Sequence, residues 1–83
     1  MNKYGPLREY LSRQKDSTVT MRFNEMEAIL GFKLPKSARI RPAWWGNENP
    51  RVTQHSHSRA WTLAGRHVTA NIEGETATFT NHR

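Results

Sequence analysis

The last third of the chain carries the pattern that most restricts its fold. Apolar residues occupy every second position on both sides of Glu73 and Gly74, namely Val68, Ala70, Ile72, Ala77 and Phe79. Alternation of this kind places the apolar side chains on one face of a strand, and a Glu-Gly pair between two such segments suits a tight turn. The pattern predicts a β-hairpin with one buried face. The opposite face is rich in threonine, with Thr69, Thr76, Thr78 and Thr80.

A helix and another strand are predicted near the N-terminus. Gly5 and Pro6 suit a helix start, because proline at the first helical position loses no hydrogen bond, and the helix should end near Gln14. Its apolar stripe comprises Leu7, Tyr10 and Leu11. Residues 18–23 then alternate between threonine or arginine and a larger apolar residue, which predicts a half-buried strand.

Two further helices are predicted in the middle of the chain. One begins at Asn24, which forms a capping-box-like pair with Glu27, and Gly31 is a natural stop. The other covers residues 53–64, where Ala60, Trp61 and Ala64 share a face. Residues 34–39 between them suit a single helical turn with a proline at its start.

The predicted order is helix, strand, helix, short turn or loop, helix, strand, strand. This order indicates one α+β domain over residues 1–83, and it is the order of a winged helix-turn-helix. One feature fits poorly, because about three or four residues join the last two helices of a helix-turn-helix, whereas Gly31 and Thr53 are far apart. Trp61 and one of Trp44 and Trp45 are expected in the core, because a small domain needs aromatic burial.

The composition excludes several kinds of functional site, but the sequence contains no motif that identifies a function. There is no cysteine, so disulfides and thiolate metal sites are excluded. Four histidines without a well-spaced carboxylate make a poor zinc set, and no catalytic motif or glycine-rich phosphate loop is present. No apolar run approaches the roughly 20 residues of a membrane span. We expect a cytoplasmic protein that is not an enzyme and has no metal, cofactor, membrane partner or small-molecule substrate.

Positive charge is concentrated in residues 33–66. This window holds seven basic residues and one acidic residue, so its charge of +6 equals that of the whole chain, and it contains all three tryptophans. Such a mixture suits a surface that meets a polyanion. Expected phosphate contacts are Lys36, Arg39, Arg41 and Arg51, with Arg66 on the hairpin beside them.

The alternatives to these contacts are structural. Arg39 could instead pair with Glu25 or Glu27, and Asn47 could be a turn residue rather than a reader of adenine. The start of the third helix is polar and is expected to face base edges. Its candidate residues are Gln54, His55, Ser56, Ser58 and Arg59.

Five motifs spread along the chain resemble a family of small bacterial domains of unknown function. They are the Tyr-x-Pro-Leu opening from Tyr4 to Leu7, the Phe-Asn-Glu-Met-Glu-Ala-Ile-Leu-Gly segment at 23–31, Leu-Pro-Lys-Ser-Ala-Arg at 34–39, Trp-Trp-Gly-Asn at 44–47, and Ala-Trp-Thr-Leu-Ala-Gly at 60–65. The resemblance implies a stand-alone small protein or an appendage of a nuclease-type module. It implies no catalytic residues.

These observations predict a winged-helix-like protein that binds double-stranded DNA, as a repressor, nucleoid factor or targeting module in transcription regulation. RNA is less favoured, because RNA-stacking modules expose aromatics on their strands, and a homodimer is expected if binding is sequence-specific. The alternative is a protein-interaction module, an inhibitor or adaptor, whose Trp and Arg residues meet an acidic partner. A third hypothesis is single-strand binding by stacking on Trp44 or Trp45.

Overall fold

The computed structural model describes residues 3–47 and 56–81, without the side chain of Ser56. The elements are α1 (Gly5–Arg13), β1 (Thr18–Arg22), α2 (Phe23–Leu30), α3 (Lys36–Ile40), a 3-10 helix (Pro42–Trp45), α4 (Ser56–Thr62), β2 (Arg66–Asn71) and β3 (Thr76–Asn81). The mixture of helices with one antiparallel sheet confirms the α+β class. No helix in the described parts of the chain is long and apolar enough to cross a membrane.

The sheet is built from the three strands that the alternation predicts. Its order is β1-β3-β2, with both neighbouring pairs antiparallel. Phe79 in the central strand faces Val19 on one side and Val68 on the other. These residues share the buried face, and the threonines pair on the opposite face, where the hydroxyls of Thr20 and Thr78 lie 3.1 Å apart. The hairpin is therefore confirmed, with its buried and threonine-rich faces as predicted.

The start of α2 differs from the prediction. Phe23 is the first residue of the helix rather than the end of the strand. The Glu25 carboxylate, not Glu27, accepts the backbone N–H of Arg22 at 2.7 Å and so caps the helix start. The predicted stop is confirmed, because Gly31 has a φ of +83°, a left-handed conformation that glycine adopts without steric cost.

Two short helices occupy the long connection that fitted the simple motif poorly. The turn predicted after Pro35 is confirmed as α3, and a 3-10 helix follows it. Helix α4 contacts both α1 and β2, and α1 also contacts α2. The described part of α4 ends at Thr62, two residues before the predicted end at Ala64, and its predicted start at Thr53 lies outside the described residues.

Aromatic side chains form the centre of the core. The Phe23 and Trp45 rings stack with centroids 5.1 Å apart, and Trp61 lies 5.7 Å from Trp45 and 5.9 Å from Phe79. Trp45 and Trp61 are buried, as expected, and the Trp45 Nε1–H donates to the Ala38 carbonyl at 2.8 Å. This bond fixes the 3-10 helix to α3. On α1, Leu7 and Leu11 are buried but Tyr10 is exposed, so that part of the predicted apolar stripe is wrong.

Candidate functional site

Arg66 does not lie on the surface, and its expected phosphate contact is corrected here. Its side chain is only 2% exposed. The guanidinium donates to four backbone carbonyls, those of Gln14 (3.2 Å), Asp16 (2.8 Å), Ser17 (3.3 Å) and Phe79 (3.3 Å). Arg66 therefore fastens the connection between α1 and β1 to the central strand. A guanidinium held in this way is not accessible to a phosphate.

Arg39 is also engaged within the protein. Its Nη2 donates to the Glu27 carboxylate at 2.8 Å and its Nη1 to Glu75 at 3.0 Å, while its guanidinium carbon lies 5.6 Å from the centre of the Phe23 ring. The pairing with Glu27 is one of the two alternatives that the sequence left open. The contacts tie α3 to α2 and to the hairpin turn, and they neutralise the charge that a phosphate would need.

The same network fixes the protonation of Glu27. Burial alone would raise the pKa of this carboxyl. Hydrogen bonds from Arg39 and from the Leu34 backbone N–H (2.8 Å), with the charges of Arg39 and Lys33, together hold its pKa below the ordinary value. The hydrogen bond with Glu27 in turn raises the pKa of Arg39. Glu27 is therefore a charged anchor between α2 and α3.

Asn47 serves the sheet and not a base edge. Its Oδ1 accepts the Val68 backbone N–H at 2.7 Å, and its Nδ2 donates to the Val68 carbonyl at 3.1 Å. These two bonds repeat the pattern of a neighbouring strand at the outer edge of β2. The observed role is structural, but it is a contact with the edge of β2 and not the turn role that the sequence left open.

The polar start of α4 is only partly exposed. Ser58 is 1% exposed, so its expected contact with a base edge is corrected, and Arg59 is half-buried. Arg51, Gln54 and His55 lie outside the described residues, as does the side chain of Ser56. Among the candidates on α4, the structure therefore bears only on Ser58 and Arg59.

Three exposed cations of the predicted cluster remain before, on and directly after α3, and we call them the basic segment: Lys33, Lys36 and Arg41. Among the residues the structure describes, no carboxylate forms an ion pair with any of them. Ile40, immediately before Arg41, is 56% exposed. The basic segment thus carries exposed charge without an ion pair among the described residues, although it is smaller than the cluster predicted from the sequence.

Arg41 opens onto a pocket of about 420 Å³ between α3 and α4. We call this the Arg41 pocket, and it is lined by Ser37, Arg41, Ala43, Trp44 and His57. Ser37 and Arg41 lie four residues apart, and the Arg41 backbone N–H donates to the Ser37 carbonyl at 2.8 Å. The pocket therefore places a cation and a hydroxyl beside the first turn of α4.

Trp44 and His57 form the aromatic wall of this pocket. Their rings are stacked with centroids 4.0 Å apart and planes 5° from parallel. The His57 Nε2 lies 2.8 Å from the Trp44 carbonyl oxygen, and because a carbonyl only accepts, this nitrogen carries the hydrogen. The stack holds the 3-10 helix against α4. Neither Ser37 nor His57 was predicted as a site residue from the sequence, although His57 lies one helical turn before the buried Trp61.

In the described ranges 3–47 and 56–81, no group of three or more His, Cys, Asp or Glu residues could hold a metal ion.

A family model described as a domain of unknown function (DUF7662) matches residues 4–83. No curated protein and no solved structure matches the chain.

Proposed function

The chain belongs to this family of domains of unknown function, and we propose that it binds double-stranded DNA through the basic segment and the first turn of α4. The observation that carries the proposal is the Arg41 pocket. It brings Arg41, an exposed cation from the irregular basic region, next to His57 at the start of α4. Two features that are separate in the sequence thus share one surface.

The architecture supports a winged-helix arrangement. The β1-β3-β2 order places the final hairpin in the sheet beside the strand that precedes α2, and α4 contacts α1 and leads into β2. In helix-turn-helix proteins the recognition helix lies in the major groove and its N-terminal residues contact base edges. By this comparison α4 is the recognition helix and the β2–β3 hairpin is the wing.

The basic segment and the start of α4 would contact different parts of the DNA. Lys33, Lys36 and Arg41 would contact phosphates, which fixes the position of the protein on the duplex. The polar residues that open α4 would contact bases. Arg39 and Arg66 are excluded from this role by their internal partners. The proposed interface is therefore a small cationic one, and its affinity should depend strongly on salt.

A duplex is the favoured nucleic acid because of the composition of the sheet. Its exposed face carries threonines, including Thr20 and Thr78, whereas sheets that bind RNA stack bases on exposed aromatic side chains. A repressor, a nucleoid factor and a targeting module are the roles that suit such a cytoplasmic binder. Two copies would be needed to specify a long site.

Titration of a fluorescein-labelled random duplex, followed by anisotropy at several salt concentrations, tests the proposal. We expect binding at about 50 mM salt and a steep linear fall of log affinity against log salt, because bound counterions are released. An unlabelled single strand of the same sequence should compete less well than the unlabelled duplex. Failure to bind the duplex at about 50 mM salt would refute the proposal.

Ile40 favours the alternative of a protein-interaction module. Its side chain is 56% exposed between Arg39 and Arg41, and arginine is enriched among the residues that dominate binding at protein interfaces. Under this alternative, Ile40→Ser would abolish capture of an acidic partner and leave duplex binding unchanged. Under the DNA proposal, the same substitution has little effect on the salt dependence of duplex binding.

A further inference from the structure

The Arg41 pocket is large enough to hold a small ligand and differs in chemistry from a simple phosphate contact. Its volume of about 420 Å³ falls within the usual range of small-molecule sites, roughly 300–1,000 Å³. Among the residues that the structure describes, those that line it include one cation and no carboxylate. The other described lining residues are a serine, an alanine and two residues with aromatic rings. This combination suits an anion that carries a flat apolar group.

The anionic end of the ligand would lie between Arg41 and Ser37. These residues are four apart at the end of α3, so their side chains lie on the same side of that helical turn. A guanidinium offers several N–H donors in a fixed plane and binds phosphate oxygens in pairs. The serine hydroxyl adds one donor. Because Arg41 is exposed and forms no ion pair within the described residues, its charge is open to a phosphate.

The flat part of the ligand would lie against Trp44 and His57. Trp44 is half-buried and stacks face to face with His57 at 4.0 Å, so the base would pack on the outer face of this pair of rings. Nucleobases pack favourably on such rings whatever their sequence. A base at this wall must be free of its duplex partner, because a paired base is stacked inside the double helix.

We propose that the Arg41 pocket binds one unpaired nucleotide of a nucleic-acid strand, with its phosphate at Arg41 and Ser37 and its base at the Trp44–His57 wall. The inference rests on the proposed function, since it takes the ligand to be nucleic acid, but it adds a site for a nucleotide outside the double helix. A duplex with an overhanging end supplies such a nucleotide, whereas a blunt duplex does not.

Two measurements on the 83-residue chain test this site. In the first, thymidine 5′-monophosphate, thymidine and inorganic phosphate are titrated while tryptophan emission is followed. The nucleotide should quench the emission saturably and bind at least about tenfold more tightly than either part alone, because each part keeps only one set of contacts. The inference is overturned if tryptophan emission shows no saturable change up to about 10 mM nucleotide, because the site would then bind more weakly than a millimolar Kd.

Arg41→Ala and Lys15→Ala are the matched variants. Both remove one exposed positive charge, but only Arg41 lines the pocket, and Lys15 lies outside the basic segment. Loss of a charge-assisted contact should weaken nucleotide binding about tenfold or more in Arg41→Ala, while Lys15→Ala should bind like the wild type. Equal loss in both variants would show general charge attraction and overturn the site. Circular dichroism confirms that each variant is folded.

The second measurement compares a blunt duplex with the same duplex carrying a 5′-phosphorylated one-nucleotide overhang. We expect the wild type to prefer the overhang and Arg41→Ala to lose that preference. Nucleotide binding without an overhang preference would assign the pocket to free nucleotides and overturn the strand assignment. If the blunt duplex binds while neither the nucleotide nor the overhang has an effect, the pocket inference fails and the proposed function stands. If nucleotide binds but neither duplex does, the proposed function fails.

Discussion

Arg66 is the residue whose role changes most between sequence and structure, and replacing it by methionine tests that role. Methionine has a similar length and is apolar, so Arg66→Met removes the guanidinium without leaving a large cavity. The variant loses donors to the carbonyls of Gln14, Asp16, Ser17 and Phe79. If Arg66 fastens the core, the protein should lose stability, whereas a phosphate-binding residue would affect affinity alone.

The size of the loss follows from the environment of each carbonyl. The Ser17 carbonyl retains the hydrogen bond from the Asn81 N–H at 2.8 Å, and part-buried carbonyls can be rehydrated. A buried carbonyl left without a hydrogen-bond donor costs about 1–3 kcal/mol. Removing an unpaired charge from the interior recovers part of this cost. We expect a net loss of about 3 kcal/mol, which for a domain of this size lowers Tm by roughly 12–24 °C.

Thermal denaturation followed by circular dichroism measures this loss, and Arg41→Met is the matched control. The same substitution at the exposed Arg41 should change stability by no more than about 0.5 kcal/mol. Arg66→Lys should be intermediate, because an ammonium cannot reach carbonyls on several sides. The reasoning is refuted if Arg66→Met unfolds at the wild-type temperature, or if the two methionine variants lose stability equally.

Two further substitutions test contacts made by other polar anchors. Glu27→Gln removes the charge that pairs with Arg39 and should cost about 1–2 kcal/mol at neutral pH. The folded-state pKa of Glu27 is lowered, so the contribution of its charge to the free energy of unfolding is present above the unfolded-state pKa and is lost as pH falls through the folded-state pKa. The urea midpoints of wild type and variant should therefore converge in acid. Asn47→Ala removes both bonds to the Val68 backbone and should lower stability by about 1–3 kcal/mol in urea denaturation at neutral pH.

Each of these expectations has a contrary outcome. A stability difference for Glu27→Gln that stays constant down to about pH 3, below the ordinary pKa of a glutamate, would show that its charge is not the stabilising feature. An unchanged urea midpoint for Asn47→Ala would show that its bonds to the β2 edge contribute nothing. Asn47→Asp keeps the acceptor but loses the donor, so it should fall between wild type and alanine.

Most of the secondary structure could be predicted from the sequence because it depends on patterns among neighbouring residues. Alternation identifies β2 and β3, and the residues after Pro35 form the expected turn of helix. The boundary at Phe23 was missed because its side chain is buried in either conformation, so alternation alone does not separate the end of β1 from the start of α2. The capping contact of Glu25 with the Arg22 backbone decides it.

The roles of the charged residues depend on contacts between distant parts of the chain. Arg39 pairs with Glu75, 36 positions later, and nothing near Arg39 indicates that partner. For Arg66 a signal existed, because it has the same parity as Val68 and Ala70 and therefore points into the core with them. Ser58 likewise lies three residues before Trp61, on the buried side of α4. The prediction gave the concentration of charge more weight than the periodicity of the apolar residues. The structure shows that periodicity was the better guide for these two residues.

Contact between the basic segment and the phosphates of duplex DNA is tested by comparing the salt dependence of three proteins. Duplex affinity is measured against salt for the wild type, for Arg41→Ala, and for Lys15→Ala, which removes an exposed charge from the connection between α1 and β1. We expect Arg41→Ala to weaken binding to all sequences and to reduce the salt slope by about 1, while Lys15→Ala resembles the wild type. Superimposable curves for the wild type and Arg41→Ala would contradict it.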